Sequence, residues 1–257
     1  MAKRVRRAKA IPPKRREVVK FENLDIELRP FKELGFKPDN VVVGISSEGI
    51  VGPLVASQLI QQLNLEQVCA LESPMFPPTA MVYFEKPKFP ARMYASKRHR
   101  LVVVLAEFAP PDELARPLAY AILAWCQSQG AKRVFGVDSF PARASTPEGV
   151  GVAAIGSTAR DRRLIAQAKV DGVRHGAVTG VAGILLNEGR WWDRDTVVLM
   201  ASIGEASDAE IALRVLRTLQ NLVPALPLQG KVKGREPTQL EKAIRAAHER
   251  APTHEYI

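Results

Sequence analysis

The chain of 257 residues is 46% hydrophobic and 25% charged, and its formal net charge is +10 at pH 7. This length and composition allow a large buried core, so we expect one large domain with appendages rather than two equal domains. No run approaches about eighteen consecutive apolar residues, and no apolar segment follows the basic N-terminus, so we expect no membrane span, no signal peptide and a cytoplasmic location.

The positive charge is concentrated at the N-terminus. Residues 1–20 hold nine Lys or Arg and one Glu, a net charge of +8. Of the 37 basic and 27 acidic residues, 28 and 26 remain for residues 21–257, which are therefore nearly neutral. The first segment lacks helical periodicity and contains Pro12 and Pro13, which predicts a disordered basic arm. Such an arm can bind nucleic acid or an acidic protein, or serve only as a solubilising tail.

The remaining chain alternates predicted strands and helices. In chain order these are strand 18–28, strand 40–45, helix 50–63, strand 67–71, a hairpin of 81–84 with 92–94, strand 100–106, helix 111–129, strand 132–138, strand 149–155, helix 161–168, helix 180–189, strand 196–201 and helix 207–222. The continuous apolar runs are typical of strands buried on both faces. This alternation predicts an α/β fold with a mostly parallel sheet flanked by helices.

Residues 176–189 form an apolar run interrupted by glycines, and we expect it to lie at the centre of the fold. Thr179 is placed to cap a helix that begins at Gly180, and the Asn-Glu-Gly sequence ending at Gly189 is placed to close it. Glycine costs roughly 1 kcal/mol relative to alanine inside a helix. Gly180 and Gly183 therefore predict close backbone approach, either to a neighbouring strand or to another subunit.

The first strand-to-helix turn, residues 44–52, stands where a phosphate-binding loop would stand. Its sequence lacks the glycine spacing of a dinucleotide fingerprint, the Lys of a Walker loop and the second glycine of a nucleophile elbow. Amides at a helix N-terminus still attract anions, so Ser46, Ser47 and Gly49 are a candidate anion or ligand turn.

Other catalytic or metal-binding patterns are weak. Glu107 and Asp138 follow or end predicted strands, where catalytic carboxylates often stand in open α/β sheets, but such residues also cap loops. An enzyme acting on a nucleoside or phosphate ligand, with either carboxylate as general base, is therefore an alternative. The four histidines lack metal-binding spacing, and Cys69 and Cys126 suit reduced core thiols. We expect no metal, no cofactor and no catalytic residue.

The C-terminal region has a different composition. Residues 226–235 resemble a linker, and Thr238 with Glu241 predicts the start of a helix at 239–250. The divisions predicted are thus a basic arm at 1–20, an α/β core at 21–225, and a linker, helix and tail at 226–257. The chain ends with Glu255, Tyr256 and Ile257. Two hydrophobic side chains beside a terminal carboxylate can fill a partner's pocket, or can fold back on their own domain.

Five short segments between residues 40 and 222 form an ordered pattern. They are the turn and helix beginning at 44–52 with Leu63-Asn64 at the far end, the loop 76–78, Pro90-x-Arg92-x-Tyr94, the strand 101–107 and the helix 179–188. This pattern resembles the proteasome assembly chaperone family, in its archaeal form. The resemblance implies a nucleoside-phosphorylase-like α/β fold without a known catalytic site, and homo-oligomers of several subunits that help α subunits of the proteasome core particle to assemble.

The resemblance also gives the tail a role. Proteasome activators and several assembly chaperones end in a hydrophobic residue, a tyrosine and any residue, and dock this end between α subunits with the terminal carboxylate paired to a pocket lysine. Tyr256 and Ile257 match the last two places, whereas Glu255 stands where the pattern has a hydrophobic residue and does not match it. The function predicted from the sequence is therefore a non-enzymatic proteasome assembly chaperone or activator-like protein that binds α subunits through its tail.

Overall fold

A computed structural model describes residues 26–47, 49–83, 85–141, 151–203 and 206–228. The strands are β1 Glu27–Pro30, β2 Asn40–Gly44, β3 Glu66–Glu72, β4 Met81–Tyr83, β5 Lys86–Lys88, β6 Ala91–Ser96, β7 Leu101–Ala106, β8 Arg133–Pro141, β9 Val152–Gly156, β10 Asp171–Gly172 and β11 Asp195–Ile203. The helices are α1 Val51–Gln62, α2 Asp112–Ser128, α3 Ala159–Gln167, α4 Gly180–Trp191 and α5 Asp208–Leu222. Within these ranges no helix is both long enough and apolar enough to cross a bilayer.

Nine strands form one mixed sheet in the order β1-β3-β6-β7-β2-β8-β11-β9-β10. The four central strands, β7, β2, β8 and β11, are parallel to one another. The strands β6, β3 and β1 add to one side in antiparallel fashion, and β9 pairs antiparallel with β11 on the other side before β10 joins it in parallel. The predicted α/β fold with a mostly parallel core is confirmed.

Helices cover both faces of the central strands. Every residue of β7 is buried, and its side chains alternate between two hydrophobic clusters. Leu101, Val103 and Leu105 pack in the cluster that includes α1 and α5, whereas Val102 and Val104 pack in the cluster that includes α2 and α4. Burial on both faces explains why the sequence of this strand is a continuous apolar run rather than an alternating one.

Two capping boxes fix helix starts. At the start of α5, Ser207 accepts a hydrogen bond from the amide of Glu210 and the Glu210 carboxylate accepts from the amide of Ser207, as predicted. The same reciprocal pair joins Thr158 and Asp161 before α3. That helix therefore begins at Ala159, two residues earlier than expected, because Asp161 is the third residue of the helix rather than its first.

The predicted hairpin of 81–84 with 92–94 is wrong in its second strand. Met81–Tyr83 pairs with Lys86–Lys88 through a tight turn in which Glu85 has a φ of 62°. Residues 92–94 belong instead to β6, which lies in the main sheet between β3 and β7. The prediction missed the short turn because Glu is an unusual residue for a left-handed backbone conformation.

The end of the described chain packs against the body. Leu226 and Leu228 are buried in the cluster that contains α1 and α5, and the Gln220 side-chain amide donates to the carbonyl oxygens of both leucines. The compact part of the chain therefore reaches at least Leu228, within the segment expected to be a linker. The predicted helix at 239–250, the tail and the basic arm lie outside the described residues.

Candidate functional site

The carboxyl ends of β2, β7 and β8 lie at one edge of the sheet, where ligand sites occur in open α/β folds. The turn after β2 holds Ser46, which is buried. The Ser46 hydroxyl accepts a hydrogen bond of 2.9 Å from the amide of Gly52, in the first turn of α1. This bond satisfies one of the helix amides that lack a partner within the helix. The Ser46 hydroxyl thus holds the start of α1 against the sheet.

Ser47 is bound to Asp138 of β8. The Ser47 hydroxyl donates to one Asp138 carboxylate oxygen over 2.6 Å, and the Ser47 amide donates to the other over 3.1 Å. The Ser139 amide adds a third bond to the carboxylate over 2.8 Å. Asp138 is only 1% exposed, so its charge is compensated by these donors rather than by water. Two donors that the turn could have offered to an anion, the amide and hydroxyl of Ser47, are therefore bound to an internal carboxylate.

Gly180, the first residue of α4, lies against the same turn. Its φ is +60°, and a Cβ atom placed on it would lie 2.8 Å from the Ser47 Cβ. Gly49 of the turn also has a positive φ, +66°. Both positions favour glycine because other residues rarely adopt this conformation. The structure therefore brings together the candidate turn and the glycine-rich helix, which the sequence had treated as separate features.

The close approach predicted at Gly183 lies inside the subunit. A Cβ atom there would lie 2.2 Å from the carbonyl oxygen of Val178, in the segment leading into α4. A role of Gly180 and Gly183 between subunits stays a prediction. Two details of the helix were wrong. Thr179 occupies the N-cap position without a side-chain capping bond, and α4 continues through Gly189 to Trp191 because Gly189 packs against the adjoining strand.

A second buried polar cluster lies where β7 ends. Arg92 of β6 and Glu107 form an ion pair of 2.6 Å, with side chains 2% and 0% exposed. The Tyr83 hydroxyl donates to the Glu107 carboxylate, and Arg92 also donates to the carbonyl of Phe89. The Arg92 guanidinium lies 5.5 Å from the centre of the Tyr83 ring and 5.9 Å from that of Tyr94. We name Tyr83, Arg92, Tyr94 and Glu107 the Arg92 cluster.

Burial and charge set the ionisation of the Arg92 cluster. Burial raises the pKa of Glu107, and the positive charge of Arg92 opposes that rise. Burial is the largest single influence on the pKa of Arg92 and acts to lower it, but the interactions with Glu107, Tyr94 and Tyr83 together outweigh burial and raise the Arg92 pKa. Glu107, a candidate general base from the sequence, is held in a structural ion pair. The signal that could have revealed its partner was Arg92 itself, a charged residue at the second position of the largely apolar strand β6.

The remaining candidates divide between buried and undescribed residues. Cys69 and Cys126 are free and buried, and burial raises their pKa values to about 11 and about 12. Within the described ranges, no group of three or more His, Cys, Asp or Glu residues is arranged to hold a metal ion. The three tail residues predicted to bind a partner, Glu255, Tyr256 and Ile257, fall outside the described residues.

Comparison with known proteins defines the family. The chain matches the model of the PAC2 family over residues 41–231, and no curated protein matches it significantly. PbaA from Pyrococcus furiosus, described as an archaeal homolog of proteasome-assembly chaperone, has 19% identity and a TM-score of 0.68 over 87% of this chain and 93% of that chain. PbaB from the same organism, described as an archaeal proteasome activator, has 21% identity and a TM-score of 0.65 over 88% and 96%.

A bacterial structure has the same fold. A PAC2 family protein from Streptomyces avermitilis has 20% identity and a TM-score of 0.57 over 81% of this chain and 92% of that chain. At these identities the structural likeness establishes the fold, whereas the family model covers most of the sequence. The resemblance inferred from the five segments is confirmed. The chain belongs to the PAC2 family.

Proposed function

We propose that the chain is a non-enzymatic proteasome assembly chaperone, which binds α subunits of the core particle through its last residues, Glu255, Tyr256 and Ile257. The match to the PAC2 family model over residues 41–231 carries the chaperone part of this proposal. That part is supported by the descriptions of two proteins of the same fold, one as a homolog of proteasome-assembly chaperone and one as a proteasome activator. The role of the last residues rests on their sequence, a tyrosine and an isoleucine before the terminal carboxylate.

The geometry at the carboxyl edge of the sheet supports a role without chemistry. The turn that could have held an anion binds an internal carboxylate, Asp138, through the amide and hydroxyl of Ser47. The second carboxylate of that edge, Glu107, is paired with Arg92. Both acidic groups that could have acted as general bases thus serve to hold strands and turns in place.

The tail acts by multivalent docking. Burial of one tyrosine contributes on the order of 2 kcal/mol, and a charge-assisted bond to the terminal carboxylate contributes about 1.5–3 kcal/mol, before the cost of ordering the tail. A single tail therefore binds weakly. A homo-oligomer of several subunits, each presenting one tail on the part of the chain after Leu228, gains affinity by a factor of about 10² or more through effective concentration. The partners proposed are thus proteasome subunits, and the location proposed is the cytoplasm.

A pull-down tests the proposal. Recombinant α subunits are incubated with the full chain, with a chain lacking Tyr256 and Ile257, and with a matched variant in which Thr253 is replaced by Ala. We expect the full chain and the Thr253→Ala variant to recover α subunits and the shortened chain to lose them. Equal recovery by all three would remove the tail from the mechanism, and recovery by none would remove the partner.

Two further assays separate the competing hypotheses. If the chain were an enzyme acting on a nucleoside or phosphate ligand, nucleosides or inorganic phosphate would raise its melting temperature. Replacing Ser47 with a bulky residue would abolish that increase. A nucleic-acid protein would be retained on nucleic acid in a salt-sensitive manner, and removing residues 1–16 would end this retention. The chaperone proposal expects neither response.

A further inference from the structure

A groove with a cavity volume of about 640 Å³ opens beside the β4–β5 hairpin. Its lining includes four prolines, two phenylalanines and Ala80, with Glu72 and Lys88 as its charged members. The apolar surface continues outside the groove, since Met75 is 44% exposed and Val82 is 66% exposed. An exposed apolar surface of this kind is typical of a site that another segment covers.

The N-terminal part of the chain enters the structure at this groove. Strand β1 pairs antiparallel with β3, and Glu27 lies opposite Glu72, a residue of the groove lining. Following the chain backward from Ile26 therefore leads in the direction of β3, past Glu72 and toward the loop at 76–80. Arg29 ties this point to the groove, because its guanidinium lies 3.6 Å from the Glu72 carboxylate and 5.6 Å from the centre of the Phe89 ring.

The chemistry of residues 17–25 suits this groove. The segment reads EVVKFENLD, with four apolar residues and a net charge of −2 from three acidic residues and one lysine. The groove offers prolines and phenylalanines to the apolar side chains, and Lys88 of β5 is the basic residue of its lining, whereas the acidic residue of the lining, Glu72, is paired with Arg29. An extended segment of nine residues spans about 30 Å, enough to cross a groove of this volume.

We propose that residues 17–25 of the same chain bind in this groove, with Phe21 and Leu24 on its apolar lining. The hydrophobic part of the N-terminal region then continues the edge of the sheet, and the basic residues before it, which hold eight Lys or Arg and no acidic residue at 1–16, are presented beside the β4–β5 hairpin. The groove is thus an intramolecular docking surface that fixes where the basic arm leaves the body.

Disulfide trapping in the full chain tests the proposal. Asn23→Cys is combined with Thr79→Cys, an exposed residue of the groove lining, and the control pair combines Asn23→Cys with Ser128→Cys, an exposed residue at the end of α2. The native cysteines are buried and burial raises their pKa values, so they compete poorly for oxidation. Products are read on a non-reducing gel, where an intramolecular bridge changes the mobility of the monomer and an intermolecular bridge gives a dimer.

We expect the Asn23→Cys and Thr79→Cys pair to form an intramolecular bridge about tenfold faster than the control pair. Adding Phe21→Ser to the first pair removes the proposed anchor without altering either cysteine, and we expect bridge formation to slow about tenfold, as loss of a buried aromatic group predicts. Equal rates for the two pairs, dimers in place of a bridged monomer, or no effect of Phe21→Ser would each overturn the proposal.

Discussion

The first prediction concerns how much the buried ion pair between Arg92 and Glu107 contributes to the stability of the fold. Replacing Arg92 with Leu leaves the Glu107 carboxylate in an environment where its side chain is fully buried. Removing one partner of such a pair costs about 3–5 kcal/mol, since the remaining charge has lost its compensation. For a chain of this size each kcal/mol lowers the melting temperature by about 2–4 °C, so we expect Arg92→Leu to lower it by about 6–20 °C.

An ion pair that is exposed to solvent provides the control. Arg100 and Asp39 lie 2.7 Å apart, but their side chains are 44% and 32% exposed. Water already compensates these charges, so we expect Arg100→Leu to cost no more than about 1 kcal/mol. The double variant Arg92→Leu, Glu107→Leu removes both buried charges, and we expect it to recover much of the stability lost in the single variant. Thermal unfolding followed by circular dichroism measures all three variants.

The stability that Arg92→Leu loses should also depend on pH. Burial raises the pKa of Glu107, and loss of Arg92 removes the charge that opposes this rise. A carboxyl whose pKa is higher in the folded state than in the unfolded state destabilises the fold as pH rises between the two values. The decrease in the free energy of unfolding caused by Arg92→Leu should therefore be smaller at pH 5 than at pH 8. Equal losses for Arg92→Leu and Arg100→Leu, or a double variant as unstable as the single one, would refute this reasoning.

Three other predictions concern the turn, the glycine-rich helix and the thiols. In urea unfolding, Gly180→Ala should lower the free energy of unfolding by more than Gly35→Ala. Both glycines have a positive φ, so each substitution has a conformational cost of about 1–2 kcal/mol, but only the methyl group added at Gly180 meets a neighbour. Equal losses for the two variants would contradict the tight contact at Gly180. Ser47→Ala should cost about 1.5–3 kcal/mol in the same assay by removing a bond to a buried carboxylate, and a neutral effect would show that this bond contributes nothing. Labelling of the Cys69 and Cys126 thiols at pH 8, monitored by absorbance, should be slow in the folded protein and complete in denaturant. Rapid labelling of the folded protein would contradict the burial of these thiols.

The sequence revealed the core of the fold because its signals there are strong and local. Strands such as β7 are continuous apolar runs, and Ser207 with Glu210 marks a helix start through a fixed spacing. The hairpin failed because its turn uses Glu85 in a conformation that its residue type does not announce. The antiparallel flanks of the sheet could not be predicted from spacing alone, since strand order depends on packing between distant segments.

The candidate site, like the sheet, was predictable from local sequence but not in the contacts between distant residues. Its residue types were identified one at a time, but their partners were not. Nothing in the spacing of Ser47, Asp138 and Gly180 indicates that they meet, because the three come from different elements joined only by the sheet. Glu107 was noted for its position after a strand, whereas its partner Arg92 is contributed by a neighbouring antiparallel strand. Such pairings require the register of the sheet.

The position of β2 has a consequence for synthesis on the ribosome. This strand lies near the start of the chain but hydrogen-bonds to β7 on one side and to β8 on the other. Its valines remain without their second neighbour until residues near the middle of the chain have emerged, and β8 itself awaits β11. Sheets closed by such distant pairings fold slowly and expose apolar strands in the meantime. The nascent polypeptide is therefore most prone to aggregation while translation is still under way.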